Sequence, residues 1–263
     1  EALELKPDHA GALLGMALAA SEGFDAVAAE LARKALAADP KLIEARVLLA
    51  SMALEDSSPA KAIEEADKAL AMDPNCLEAL SIKAAIDLLD DKPAPPALAR
   101  ILQLNPAYGE AYAAAGRFFV LNRRYEEGVA LYRKALELNP RLHKARAELG
   151  LNLMRLGHDD EARRLLVACY EAGETYPAVG NPLRLLDSYK NFRYIKRGNI
   201  VLKLHQKEAG LLEPFVAAEL ERAMAAYEKR YQMRLDRPVQ LEVYPDHEDF
   251  AVRILGMPGM GAL

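Results

Sequence analysis

Residues 110–140 read EAYAAAGRFFVLNRRYEEGVALYRKALELNP. Glu110–Leu121 carries apolar residues at helical spacing, Asn122–Arg124 makes a turn, and Tyr125–Leu138 carries a second helical stripe. Asn139-Pro140 ends that second helix. Proline lacks the N–H that would continue it and disfavours the α conformation of the residue before it.

The closing phrase recurs outward from this stretch: ALELKP to Pro7, KALAADP to Pro40, KALAMDP to Pro74, RILQLNP to Pro106 and KALELNP to Pro140. The intervals are 33, 34, 32 and 34 residues, a period that marks a repeat protein. Small residues recur in register. Ala17, Ala50, Ala84, Gly116 and Gly150 lie in the first helices. Ala28, Ala62, Ala94, Gly128 and Ala162 open the second helices, and Ala35, Ala69 and Ala135 lie near their ends, with Ile101 and Cys169 at the equivalent places. Two helices approach closely at such sites, and overpacking one costs about 1–3 kcal/mol. Of 48 alanines, 40 lie in residues 1–180 and eight in the last 83, so the close-packed helical region stops near residue 180.

A helix–turn–helix unit of this length and pattern resembles the tetratricopeptide repeat (TPR). The fourth unit matches it through Tyr112, Ala115, Gly116, Phe119, Tyr125, Gly128, Tyr132, Ala135 and Pro140. The fifth follows with Leu149, Gly150, Leu153, Gly157, Ala162 and Leu166. The third is two residues short, and Lys92-Pro93-Ala94-Pro95-Pro96 stiffens its turn and shortens its second helix. The resemblance implies a mainly α protein: a right-handed superhelix of about five helix pairs over residues 1–178, a capping helix over 179–194, and a small α/β segment over 195–263.

The resemblance also implies a concave wall lined by first helices. Carried over by position, it holds Leu14 and Leu18, then Val47, Ser51 and Leu54, then Ser81 and Leu88, then Arg117 and Val120, and last Lys144, Leu151 and Met154. Glu44, Glu78 and Glu110 share the wall, as do Ala85, Ala113 and Ala147. No Lys or Asn occupies the places used by chaperone-binding relatives to clamp a terminal carboxylate. A hydrophobic segment would suit the wall, either a partner's peptide or the protein's own downstream domain. The same Leu and Val would also serve as inner-seam packing. Protein or peptide interaction without catalysis is the expected function, with no cofactor.

Beyond Pro177 the period changes. Asn181-Pro182 reads as the opening of a helix over Leu183–Phe192 that caps the repeats. Ile200–His205 alternates as a strand, and Glu213–Gln232 is a long helix whose buried stripe is Val216, Leu220, Met224, Tyr227 and Tyr231. Val239–Val243 is a second strand, and Asp246 caps a helix over His247–Leu255. Two strands make the α/β segment look incomplete. Residues 239–250, VQLEVYPDHEDF, resemble the opening of the peptidase MA-like metallopeptidase domain, which in bacteria often follows TPR arrays. The resemblance implies a second expectation: a zinc metallopeptidase whose H-E-x-x-H lies beyond Leu263, with Glu1 and Leu263 as cut ends of a longer protein. His247-Glu248 continues Asp-Phe-Ala, so no catalytic residue carries across.

The remaining features exclude more than they assign. A net charge of −5 opposes a chain dominated by nucleic-acid binding. Residues 183–237 nevertheless hold twelve Lys/Arg against seven Asp/Glu, which reads as a solvated surface or a domain seam and not as a phosphate-binding patch. No apolar run reaches the ~18 residues of a membrane span. Cys76 and Cys169 stand 93 positions apart, outside any zinc or disulfide pattern. Five scattered histidines provide no metal site, and His158-Asp159-Asp160-Glu161 reads as a turn with acids at a helix N-terminus. Cytoplasmic and periplasmic settings fit equally.

Overall fold

Each period folds as a helix pair because local chemistry closes both helices. At the end of the second helix, the side-chain oxygens of Asp39, Asp73, Asn105 and Asn139 accept the N–H groups of Lys41, Asn75, Ala107 and Arg141 at 2.9, 2.9, 3.0 and 3.1 Å. Their carbonyls accept the N–H of the residue three further on. This is a turn with an Asx residue at its first position and proline at its second. Between the two helices the chain turns left-handed, at Ser57, Asp91, Arg123 and Gly157 (φ 54°, 58°, 64° and 81°). The next N–H then reaches back five residues: Ser58 to Ala53, Lys92 to Asp87, Arg124 to Phe119 and His158 to Leu153, at 2.8–3.0 Å. That bond satisfies a carbonyl the ended helix leaves open.

The computed structural model describes residues 6, 8–22, 27–235 and 237–259. The phrase ending at Pro7 and the Gly261–Leu263 end lie outside the described residues. The chain divides into two compact units, Glu1–Ala145 and Arg146–Leu263.

The first unit holds α1 (Ala10–Glu22), α2 (Val27–Ala38), α3 (Ile43–Glu55), α4 (Pro59–Met72), α5 (Leu77–Leu89), α6 (Pro96–Leu104), α7 (Glu110–Leu121) and α8 (Tyr125–Leu138). The bounds of α7 and α8 are those expected. Ala17, Ala28, Ala35, Ala50, Ala62, Ala69 and Ala135 are fully buried. A Cβ on Gly128 would stand 2.8 Å from Val120 Cγ2 and 3.1 Å from the Gly116 carbonyl, so α7 and α8 cross where only glycine fits. Ala94 departs from the expected register. It is exposed and precedes α6, whereas Pro95 is buried. The proline run delays the nine-residue α6, and α5 packs directly against α7. One apolar cluster runs from Ala50 and Leu54 through Ile82 and Ile86 to Phe118, Phe119 and Leu131.

The second unit continues α9 (His143–Arg155) and contains α10 (Asp159–Glu171), α11 (Pro177–Ser188), a 3₁₀ turn (Tyr189–Asn191), β1 (Phe192–Arg197), β2 (Ile200–His205), α12 (Ala209–Tyr231), β3 (Val239–Val243) and α13 (His247–Leu255). Pro177, not the Asn181-Pro182 pair, opens α11. Its ring suits the first helical position, and Pro182 is buried inside the helix. α11 packs on α10 through residues that include the buried Val179 and Leu185.

The helix expected over Leu183–Phe192 stops at Ser188, its last turn is the 3₁₀ turn, and Phe192 opens β1, a strand not expected, so the sheet has three strands, in the order β1-β2-β3. β1 is antiparallel to β2, with Tyr194 opposite Lys203, and β3 is parallel to β2, with Glu242 beside Lys203. Alternation gives the sheet two different faces. Ile195, Ile200, Leu202, Leu204, Leu241 and Val243 form a core with Leu212, Val216, Leu220 and Met224 of α12. The opposite face bears Tyr194, Lys203 and Glu242. α12 begins four residues earlier than expected and takes Pro214 inside it. Tyr227 and Tyr231, expected in its buried stripe, are exposed. The Asp246 cap forms as expected, its carboxylate accepting the Glu248 N–H at 2.9 Å.

Candidate functional site

The wall residues sort by burial. In the first unit, Leu14, Leu54 and Ser81 are buried, and the Ser81 hydroxyl donates to the Leu77 carbonyl at 2.7 Å. Val47 and Leu88 are half-buried against the apolar cluster that contains Leu54. Val120 is half-buried beside Gly128, and Ser51 is half-buried. Leu18, Arg117 and Lys144 are exposed. Arg117 of α7 pairs with Glu55 of α3 at 2.8 Å. The pair joins first helices two repeats apart within this unit.

In the second unit Met154 is buried and Leu151 half-buried. Leu151 already has a neighbour: a Cβ on Gly256 would stand 3.3 Å from its Cδ2. One turn on, the Arg155 guanidinium donates twice to the Ile254 carbonyl, at 3.0 and 3.2 Å. The end of α13 therefore lies over this stretch of α9.

A second constellation was not anticipated. Lys203, on the middle strand, is 2% exposed and pairs with Glu242 at 2.8 Å and with Asp159. Arg253 of α13 reaches the same two carboxylates, Asp159 at 2.9 Å and Glu242 at 2.6 Å. Tyr244 donates to Glu242, which leaves Tyr189 to donate to Tyr244 across 2.6 Å. The Lys203 ammonium also lies 4.9 Å from the centroid of the Tyr189 ring. Two cations and two carboxylates thus meet out of water with their charges balanced.

The groups respond to this setting. Burial pushes the Glu242 carboxyl up, but Arg253, Lys203 and the Tyr244 hydroxyl outweigh it and hold the carboxyl below its ordinary value. Burial, then Tyr189 and Glu242, push the Tyr244 phenol far above its ordinary value. Burial, with Asp159 and Glu242, raises Tyr194 to about 12. Such a cluster fixes geometry more than it stabilises. It seats the polar face of the sheet against the turn that opens α10 and against α13. Asp159, expected simply to favour a helix N-terminus, is its outermost carboxylate. A lysine at an alternating strand position signals solvent from sequence alone, so the network left no local trace.

His247 and Glu248 are exposed at the start of α13. Among the described residues no group of three or more His, Cys, Asp or Glu could hold a metal ion, and no helix is long and apolar enough to cross a membrane. Both cysteines are buried, and burial raises the pKa of each thiol.

No protein-family model matches the chain. Over 136 residues it is 24% identical to anaphase-promoting complex subunit 3 of Schizosaccharomyces pombe, covering 43% of this chain and 20% of that protein. The chain thus spans about a fifth of the length of that curated relative. Among solved structures, a thermophilic TPR protein of Thermus thermophilus is 20% identical over 62% of this chain and 90% of its own, with a TM-score of 0.46. YrrB, described as a TPR protein with an unusual peptide-binding site, is 18% identical over 68% and 93% (TM-score 0.39). MamA is 23% identical over 64% and 94% (TM-score 0.37). Repeat length, helix pairing and small-residue packing make the repeat region of this chain a tetratricopeptide-type array.

Proposed function

We propose that the chain is a protein-interaction scaffold whose repeat array docks a protein or peptide segment along the first helices of the first unit. The Arg117–Glu55 pair carries this reading, because it brings the first helices of two repeats together on one side of the unit. Beside it stand the half-buried Ser51 and Ala113, with the exposed Leu18 further along the array. Small side chains at Ser51 and Ala113 leave room for a bound segment, and the exposed leucine adds apolar area worth about 25 cal/mol per Å² once covered. The buried Leu14, Leu54 and Ser81 shape the wall from behind.

Peptide-array binding tests the reading. Filling the wall with Ser51→Arg and Ala113→Arg, both at half-buried positions, should abolish capture of peptides bound by the native chain while helical circular dichroism is unchanged. Equal capture by the double variant would remove the groove as the docking site.

A further inference from the structure

The last two turns of α12 run past the core that holds the rest of the helix. Its buried stripe packs through Leu212, Val216, Leu220 and Met224, then continues as Tyr227 and Tyr231, which are 56% and 58% exposed. The two rings stack in parallel, 5.8 Å apart with 8° between their planes, and the Arg230 guanidinium lies 5.6 Å from the Tyr231 centroid. Met233, just past the helix, is also exposed.

Local hydrogen bonds close the end of the helix. Gln232 turns left-handed at φ 50°, and the Met233 N–H returns to the Glu228 carbonyl at 3.2 Å. The Glu228 carboxylate accepts the Leu235 N–H at 2.9 Å, which ties down the following loop. Among the described residues no carboxylate pairs with Lys229, Arg230 or Arg234. Elsewhere in the same basic segment Arg193 and Arg197 pair with Glu213, and Arg222 pairs with Glu219. Cations at a helix C-terminus are favourable without any ligand. That accounts for the charges but not for two uncovered aromatic rings on the core-facing stripe. Covering large aromatic faces is a main source of interface energy, and cations around them select an opposite charge.

We propose that the C-terminal end of α12 is a docking platform for an acidic segment of a partner protein that carries aromatic or apolar side chains. A symmetric contact with a second copy would set Lys229, Arg230 and Arg234 against their own kind, which like-charge repulsion opposes. The platform belongs to the second unit, and its role does not rest on the groove proposed for the first.

Fluorescence anisotropy with a labelled random glutamate–tyrosine copolymer tests the platform, with polyglutamate, polylysine and oligo(dT) as comparison probes. The full chain should bind the copolymer about tenfold more tightly than polyglutamate, and binding should weaken as salt screens the cations. Tyr227→Ser with Tyr231→Ser, and separately Lys229→Glu with Arg230→Glu, should each weaken it by about tenfold or more. All four positions are exposed, so circular dichroism should be unchanged. The groove variant Ser51→Arg/Ala113→Arg should bind the copolymer as the native chain does, whatever it does to peptide capture. The proposal is overturned if the copolymer binds no better than polylysine or if both platform variants bind like the native chain. Tighter binding of oligo(dT) would overturn it in favour of a nucleic-acid surface.

Discussion

Lys203 and Glu242 sit side by side on parallel strands, their charged atoms 2.8 Å apart. Asp159 and Arg253 complete the square around them. The polar face of the sheet is therefore held by charge and hydrogen bonding, while the opposite face is held by aliphatic packing. Removing one member of such a buried set strands its partners, which typically costs about 3–5 kcal/mol. Lys203→Ala should lower the unfolding free energy of the α/β region by that order in urea titration. Lys203→Met with Glu242→Leu keeps Asp159 and Arg253 paired, so the double variant should recover most of the loss. A double variant as unstable as the sum of its singles would show that the two residues act independently.

Acid should act on the same cluster. The Glu242 carboxyl is held below its ordinary value in the folded state. Its contribution is therefore present above the unfolded-state pKa, about 4.3 for glutamate, and is lost as the pH falls through the lower folded value. The urea midpoint should not change through this group between about pH 6 and 8. It should then fall in the region below about pH 4. Glu242→Gln should be less stable at neutral pH and show a shallower acid slope. An unchanged slope would assign the acid sensitivity to other carboxylates.

The repeats were legible because every boundary rests on nearby residues. The Asx-Pro turn, the left-handed residue and the small crossing sites all lie within one 34-residue unit, so α7 and α8 could be bounded to the residue. The α/β region was read less well where partners are distant in sequence. The run FRYIKR of β1 places Arg193 and Ile195 on the α12 side and Tyr194 on the other. Its polarity does not alternate, and only pairing with β2 fixes it as a strand. Proline misled in the other direction: Pro182 reads as a start, but a helix already begun at Pro177 absorbs it. Among the wall positions, repeat register located the helices but did not distinguish the exposed Leu18 from the buried Leu54 and Met154. That difference depends on neighbouring repeats and on α13.

Two glycines in the first unit should respond oppositely to the same change. Gly15 lies inside α1 with nothing within 4 Å of an added Cβ, so Gly15→Ala should stabilise by about 0.8–1 kcal/mol through helix propensity. A Cβ on Gly109 would stand 2.3 Å from the Ala135 carbonyl oxygen and 2.9 Å from Leu142 Cδ1. Backbone would have to move, so Gly109→Ala should destabilise by about 1–3 kcal/mol. Thermal melts of the two variants settle the sign. A stabilised Gly109→Ala protein would mean that α7 and α8 can separate there without loss.

The left-handed turns allow a comparison between repeats. Ser57, Asp91 and Arg123 hold at φ 54–64° the conformation that Gly157 holds at 81°, and each closes its helix with the same backward N–H bond. A side chain in this region costs about 1–2 kcal/mol, partly offset because glycine loses more chain entropy on folding. Ser57→Gly should therefore raise stability by about 0.5 kcal/mol, and Gly157→Ala should lower it by about 1 kcal/mol. The added methyl at residue 157 would meet only the Gln240 side chain, 3.3 Å away, and that side chain can swing aside. Gly157→Ala thus isolates the backbone term. A Gly157→Ala loss no larger than the scatter of surface substitutions, about 0.5 kcal/mol, would mean that the turn does not set the stability of its repeat.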